Sequence, residues 1–167
     1  MSSDEHIDLF MTTAAKVAAV PIRVQDTDEF RAAIGKIVSD CHAIYCPETT
    51  EWERLAASVI PVEKRETNYR IAELCIDEVH GAIAETGSLV CSSGDGKPLQ
   101  AGLLASHHVA ILRSETIWEN FEEFFRSQHE PLPTNITIET GPSRTADIEL
   151  TLTVGVHGPE HVTILIV

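Results

Sequence analysis

Two turns in this sequence concentrate the groups that could do chemistry. The first lies in Thr137-Ile138-Glu139-Thr140-Gly141-Pro142-Ser143-Arg144-Thr145-Ala146-Asp147-Ile148-Glu149, which reads as a short alternating strand, a Gly-Pro break and a helix opening on Ser143. A helix start presents free backbone N–H groups and the positive end of the macrodipole, so it suits an anion. Gly141 lets the backbone come close, Ser143 can cap the helix and touch the anion, and Thr145 can reach it as well. Arg144 is one of four Lys or Arg residues from Lys97 onward, and its guanidinium would grip a carboxylate or phosphate. Asp147 would favour the helix start electrostatically or steady the Arg144 guanidinium. An ordinary capped helix, with Arg144 paired to Asp147 or Glu149, accounts for the same residues.

The second turn is Glu85-Thr86-Gly87-Ser88, set between two apolar stretches where a charge has no packing reason to be. Glu85 is a candidate general base or carboxylate nucleophile, and its plain alternative is a strand-edge residue in water or paired with an Arg. Thr86 and Ser88 offer hydroxyls beside Gly87, which would let N–H groups approach a ligand. His108 precedes an apolar strand and His157 sits in Gly155-Val156-His157-Gly158-Pro159; both are weaker candidates. No acidic partner is set by spacing beside His107-His108, and Cys41-His42 with Cys46 fits no standard site, so no metal site is expected. The four scattered cysteines suit a reducing compartment rather than disulfides or an iron–sulfur cluster held by this chain alone. Walker loops, G-x-G-x-x-G, G-x-S-x-G and H-E-x-x-H are all absent from the sequence.

The elements that must position these groups alternate between helix and strand. Asp26 with Glu29 and Thr50 with Glu53 are capping pairs, each followed by an apolar helical face. Ala43 to Cys46, Ser88 to Ser92, Val109 to Leu112, Asn135 to Thr140 and His161 to Val167 read as strands. Ser114 is expected to cap a helix with Ile117, Phe121, Phe124 and Phe125 on one side, while Ile71 to Ile76 fits either helix or strand. Single helices between apolar strands imply an α/β fold, an open, mostly parallel sheet with helices on both faces. Ligands in such sheets bind beyond the carboxyl ends of the strands.

Gly141 to Glu149, Gly155 to Pro159, and Ala82-Ile83-Ala84-Glu85-Thr86-Gly87-Ser88-Leu89-Val90 followed by His108 occur in one order. In these blocks, over residues 72 to 167, the chain resembles the lactate utilization protein C family, built on the LUD domain. Ala105 stands where that family usually has a proline. The resemblance implies a three-layer Rossmann-like sandwich similar to that of sugar-phosphate isomerases and CoA transferases. It implies a single LUD-type domain over residues 1–167, with residues 1–24 as a partly ordered N-terminal extension. It also implies a subunit of a cytoplasmic iron–sulfur system oxidising L-lactate to pyruvate. The clusters would sit in partner subunits, and this chain, with no cofactor of its own, would supply a site for a small carboxylate or phosphate, or an assembly role. Two other readings stay open: a stand-alone enzyme on the isomerase or CoA-transferase plan, and a non-catalytic sensor or scaffold.

Composition narrows the partners. A net charge of −14 opposes binding to a phosphate backbone or an anionic membrane, and no apolar run is long enough to span a bilayer. Hydrophobic residues make up 43% of the chain but aromatics only 5%, so the core must be built from Ile, Leu, Val and Ala.

Overall fold

Side-chain caps set where the second and third helices begin, as the sequence implies. The computed structural model describes residues 3–94, 98–129, 133–146, 152–154 and 158–167. Helix α1 (Ser3–Lys16) leads to strand β1 (Val20–Arg23). In helix α2 (Thr27–Val38) the Asp26 side chain accepts from the N–H groups of Asp28 and Glu29. Strand β2 (Ile44–Tyr45) is followed by helix α3 (Glu51–Val59), closed by a complete capping box between Thr50 and Glu53. Then come β3 (Leu74–Glu78), β4 (Gly81–Ile83), β5 (Ser88–Ser92), the short helix α4 (Ala101–Leu104) and β6 (His107–Leu112). The remainder comprises β7 (Ile117–Trp118), α5 (Phe121–Ser127), β8 (Ile136–Glu139), β9 (Arg144–Ala146), β10 (Leu152–Val154) and β11 (His161–Ile166).

Among the described residues, five strands form a wholly parallel sheet in the order β1-β11-β6-β3-β2. A smaller sheet runs β7-β4-β5-β8, antiparallel except where β4 meets β7. Alternation along β6 shows how the layers join. Val109 and Ile111 pack with Phe30, Ile34 and Ala56 of α2 and α3, whereas Ala110 and Leu112 pack with Phe10 and Ala14 of α1 and with Leu89 of the small sheet. The result is three layers, with α2 and α3 on one face of the parallel sheet and α1 with the small sheet on the other. Five of the six residues in each of β6 and β11 are buried, and four of the six are apolar, as burial on both faces demands. No helix among the described residues is long and apolar enough to cross a membrane.

The chain departs from its sequence pattern in several places. Residues 3–23 form α1 and an edge strand of the main sheet, and Ile7, Phe10 and Ala14 are buried at helical spacing. Ile71 to Ile76 resolves into a strand that starts at Leu74. No α-helix is capped by Ser114: a single 3-10 turn spans Ser114–Thr116, and Ile117 and Trp118 then pair with Ala82 and Ile83 of β4. The helix begins after Asn120, whose side chain accepts from the Glu123 N–H, leaving Phe124 buried but Phe125 61% exposed. Strand pairing and a better cap together override the apolar spacing. The helix expected at Ser143 is likewise absent, because Arg144–Ala146 is strand β9, laddered antiparallel to β10. The Ser143 N–H donates to the Pro159 carbonyl at 2.8 Å, so the local cap signal yields to long-range pairing.

Candidate functional site

The two turns singled out in the sequence do lie side by side, at the end of α1. Antiparallel pairing of β5 with β8 brings Ser88 and Thr140 together. Their hydroxyls are 2.8 Å apart, and Thr86 adds its own hydroxyl 2.7 Å from that of Ser88. Gly87 and Gly141 both hold positive φ, 68° and 66°. A Cβ on Gly87 would strike the backbone of Thr13 and Ala14, and one on Gly141 would strike the Val17 carbonyl. These glycines therefore let the turns dock against α1, a packing role that the sequence could not distinguish from a ligand cradle. Thr13 reinforces the contact by donating its hydroxyl to the Ala84 carbonyl at 2.6 Å.

Glu85 points the other way. It is exposed at the tip of the β4–β5 hairpin, and its carboxylate accepts the Phe121 N–H, a free donor at the start of α5, at 3.4 Å. Ser143 rests against the Gly158-Pro159 turn, while Arg144 and Thr145 lie in β9, opposite Val154 and Thr153. With no helix start at Ser143, the dipole-based reason for an anion there is removed. Asp147 and His157 lie outside the described residues.

His108, a minor candidate in the sequence, is the centre of the most unusual polar arrangement. Its side chain is 1% exposed and bridges two acids. The imidazolium donates from Nδ1 to Glu139 Oε2 at 2.7 Å and from Nε2 to Asp77 Oδ1 at 2.8 Å. Parallel pairing of β3 with β6 sets Cys75 opposite His108, and Asp77, two residues on, shares its face. Glu139 arrives from β8, opposite Leu89, so the trio spans both sheets. Gly102 of α4 completes the fit, since a Cβ there would lie 2.7 Å from the imidazole ring.

Burial alone would lower the His108 pKa, but the Glu139 charge and the hydrogen bonds to Asp77 and Glu139 outweigh it and raise it from 6.5 to about 10. His108 is thus a cation at neutral pH. Neighbouring His107 shifts the opposite way, down to about 4, through burial and then repulsion by His161 and His108.

Of the three, Asp77 meets the outside. It lines a cleft of about 200 Å³ with Thr50, Glu78, His80, Ser92 and Arg113. Glu78 ends β3 and Arg113 follows β6, so the cleft lies beyond the carboxyl ends of the parallel strands. Arg113 Nε donates to Glu78 Oε1 at 2.7 Å, and the side chain remains 38% exposed. Glu78 is fixed in turn, because its own N–H donates to Glu53 Oε1 at 2.9 Å, and Glu53 is the fully buried partner in the α3 capping box. A cap readable in the sequence thereby braces a wall of the cleft.

Such a cleft can hold a small polar molecule with both a negative and a hydrogen-donating group. The Arg113 guanidinium suits a carboxylate, and the Asp77 carboxylate, which accepts from His108, suits a hydroxyl. Cys75 and Cys91 are buried, and burial pushes both thiols well above 9.0. Sequence reasoning missed Asp77, Glu139 and Arg113. The available signal was acidic residues inside apolar strands, at Cys75-Ile76-Asp77-Glu78-Val79 and Ile136-Thr137-Ile138-Glu139.

Comparison with known proteins places this chain in a family. The LUD domain model matches residues 51–167, a span that contains Asp77, Arg113, His108 and Glu139. Lactate utilization protein C of Halalkalibacterium halodurans is 38% identical over 116 residues, covering 66% of this chain and 46% of that protein. The protein of the same name from Bacillus licheniformis is 25% identical over 167 residues, covering 96% of this chain and 68% of its own length. The chain thus spans about half the length of the Halalkalibacterium relative. In fold it is similar to the crystal structure of a DUF162 family protein from Deinococcus radiodurans, with a TM-score of 0.68, 16% identity, and 99% and 98% of the two chains covered. The family match over most of the chain, on this three-layer α/β fold, makes the protein a member of the LUD domain family.

Proposed function

We propose that this chain serves lactate utilization as a component of a multi-subunit iron–sulfur system that oxidises L-lactate to pyruvate, and that its cleft takes a small carboxylate. The iron–sulfur clusters belong to partner subunits in this reading, and the chain contributes binding and orientation of the anion. The observation that carries it is that Arg113 and Asp77 line one cleft, Asp77 being held through His108 by the buried Glu139. A 2-hydroxy acid has the matching groups. Its carboxylate would face the guanidinium, and its hydroxyl would donate to Asp77. The similarity to proteins called lactate utilization protein C supports this choice of acid.

Anaerobic purification of the tagged chain from its native cell tests the assembly. Co-purifying iron–sulfur absorption with L-lactate-dependent dye reduction is the expected outcome, and a colourless eluate without that activity would refute it. Titration of the isolated chain with L-lactate and with pyruvate tests the cleft separately. Arg113→Met should abolish binding in a chain whose circular dichroism shows it still folded, at some cost in stability from the lost Glu78 contact. Lactate binding that survives this substitution would move the anion site elsewhere.

A further inference from the structure

We propose a divalent transition-metal site, formed by His6, Glu119 and Glu123, that ties α1 to the junction of β7 and α5. Each residue offers one ligand atom, and the three atoms lie within 4.8 Å of one another. They come from separate elements: His6 from α1, Glu119 from the segment after β7, and Glu123 from α5.

The His6 ring nitrogen Nε2 lacks a hydrogen-bond partner among the described residues. The side chain is 14% exposed, yet Nε2 is wholly buried. A buried ring nitrogen left without a partner is costly and calls for an explanation. Its nearest carboxylate oxygen, on Glu119, is 3.9 Å away. That is too far for a hydrogen bond. It does match two ligands of one ion, since atoms each about 2.1 Å from a metal lie roughly 3 to 4 Å apart. Rotation of the exposed Glu123 side chain would close the remaining gap.

Neighbouring contacts help to orient the ligands. The Glu119 N–H donates to Glu123 Oε2 at 2.6 Å, and a carboxylate oxygen that accepts a hydrogen bond can still bind a metal. Glu85, beside them on the β4–β5 hairpin, adds negative charge next to the start of α5. One imidazole with two carboxylates favours Zn²⁺ or Mn²⁺ over Mg²⁺, which prefers oxygen and water. The ion would act as a clamp between α1 and the small sheet it packs beside, independent of the cleft and of its proposed ligand.

Calorimetric titration of the chelator-treated full chain with ZnCl2, MnCl2 and MgCl2 tests this site. One Zn²⁺ per chain, with Mg²⁺ much weaker, is expected. His6→Ala and Glu119→Gln should each weaken Zn²⁺ binding by about tenfold or more. Zinc should also raise the melting temperature of the parent and leave both variants unmoved. Should His6→Ala fold poorly, Glu119→Gln, whose parent side chain is 45% exposed, decides the matter. Absence of binding at millimolar Zn²⁺, or binding unchanged in Glu119→Gln, overturns the proposal.

Discussion

Replacing His108 by Gln removes the cation that contacts the buried Glu139. Glu139 is 5% exposed, its Oε2 rests on His108, and its Oε1 has no hydrogen-bond partner among the described residues. Breaking a buried ion pair from one side leaves the other charge stranded, at a cost of about 3–5 kcal/mol. The pKa of His108 leads to a similar size. A rise from 6.5 to about 10, at roughly 1.4 kcal/mol per pH unit, is worth on the order of 5 kcal/mol. The sign follows from proton linkage. A histidine with a raised folded pKa contributes fully below its unfolded value of 6.5 and loses that contribution as pH climbs through about 10. Urea unfolding of the parent and His108→Gln, followed by circular dichroism from pH 6.5 to 10.5, reads this directly. The variant should be less stable by several kcal/mol at pH 6.5, and the two should converge above pH 10. A gap that is absent at pH 6.5, or constant across the range, would show that the imidazole is neutral and that the ionic account is wrong.

Other perturbations probe the supporting structure. His107 has its folded pKa lowered to about 4, so it makes stability fall as pH drops from 6.5 toward 4; His107→Gln should flatten the acid side of a stability–pH profile. Gly141→Ala forces a left-handed alanine, costing about 1–2 kcal/mol, and adds a clash with the Val17 carbonyl; its urea midpoint should fall further than that conformational cost alone predicts. Thr50→Ala removes one half of the α3 capping box, and differential scanning calorimetry should report a loss of about 1 kcal/mol. Phe124→Ala empties a fully buried position between Ile83 and Val90, with an expected loss of about 3–5 kcal/mol on denaturant unfolding.

Local chemistry wrote some of this protein into its sequence. The caps at Asp26 and Thr50 and the apolar runs of β5, β6 and β11 depend on neighbours within a few residues, so pattern alone determined them. The α/β class follows from the same signals, because strands buried on both faces must be apolar throughout. Ser143 and Ser114 show where this reasoning ends. Each has the local look of a helix cap, yet Ser143 precedes β9 and Ser114 opens a 3-10 turn before β7, because hydrogen bonds to distant strands outweigh about 1 kcal/mol of capping. Gly87 and Gly141 were conspicuous as residues, but their purpose lies in the α1 backbone they touch, more than 70 positions away for Gly87. The acidic relay was beyond reach for the same reason. Asp77 and Glu139 each stand 31 residues from His108, and nothing local relates them. Strand register in one sheet and the stacking of a second sheet upon it brought the three together, and the low dielectric between those layers gives their charges their strength.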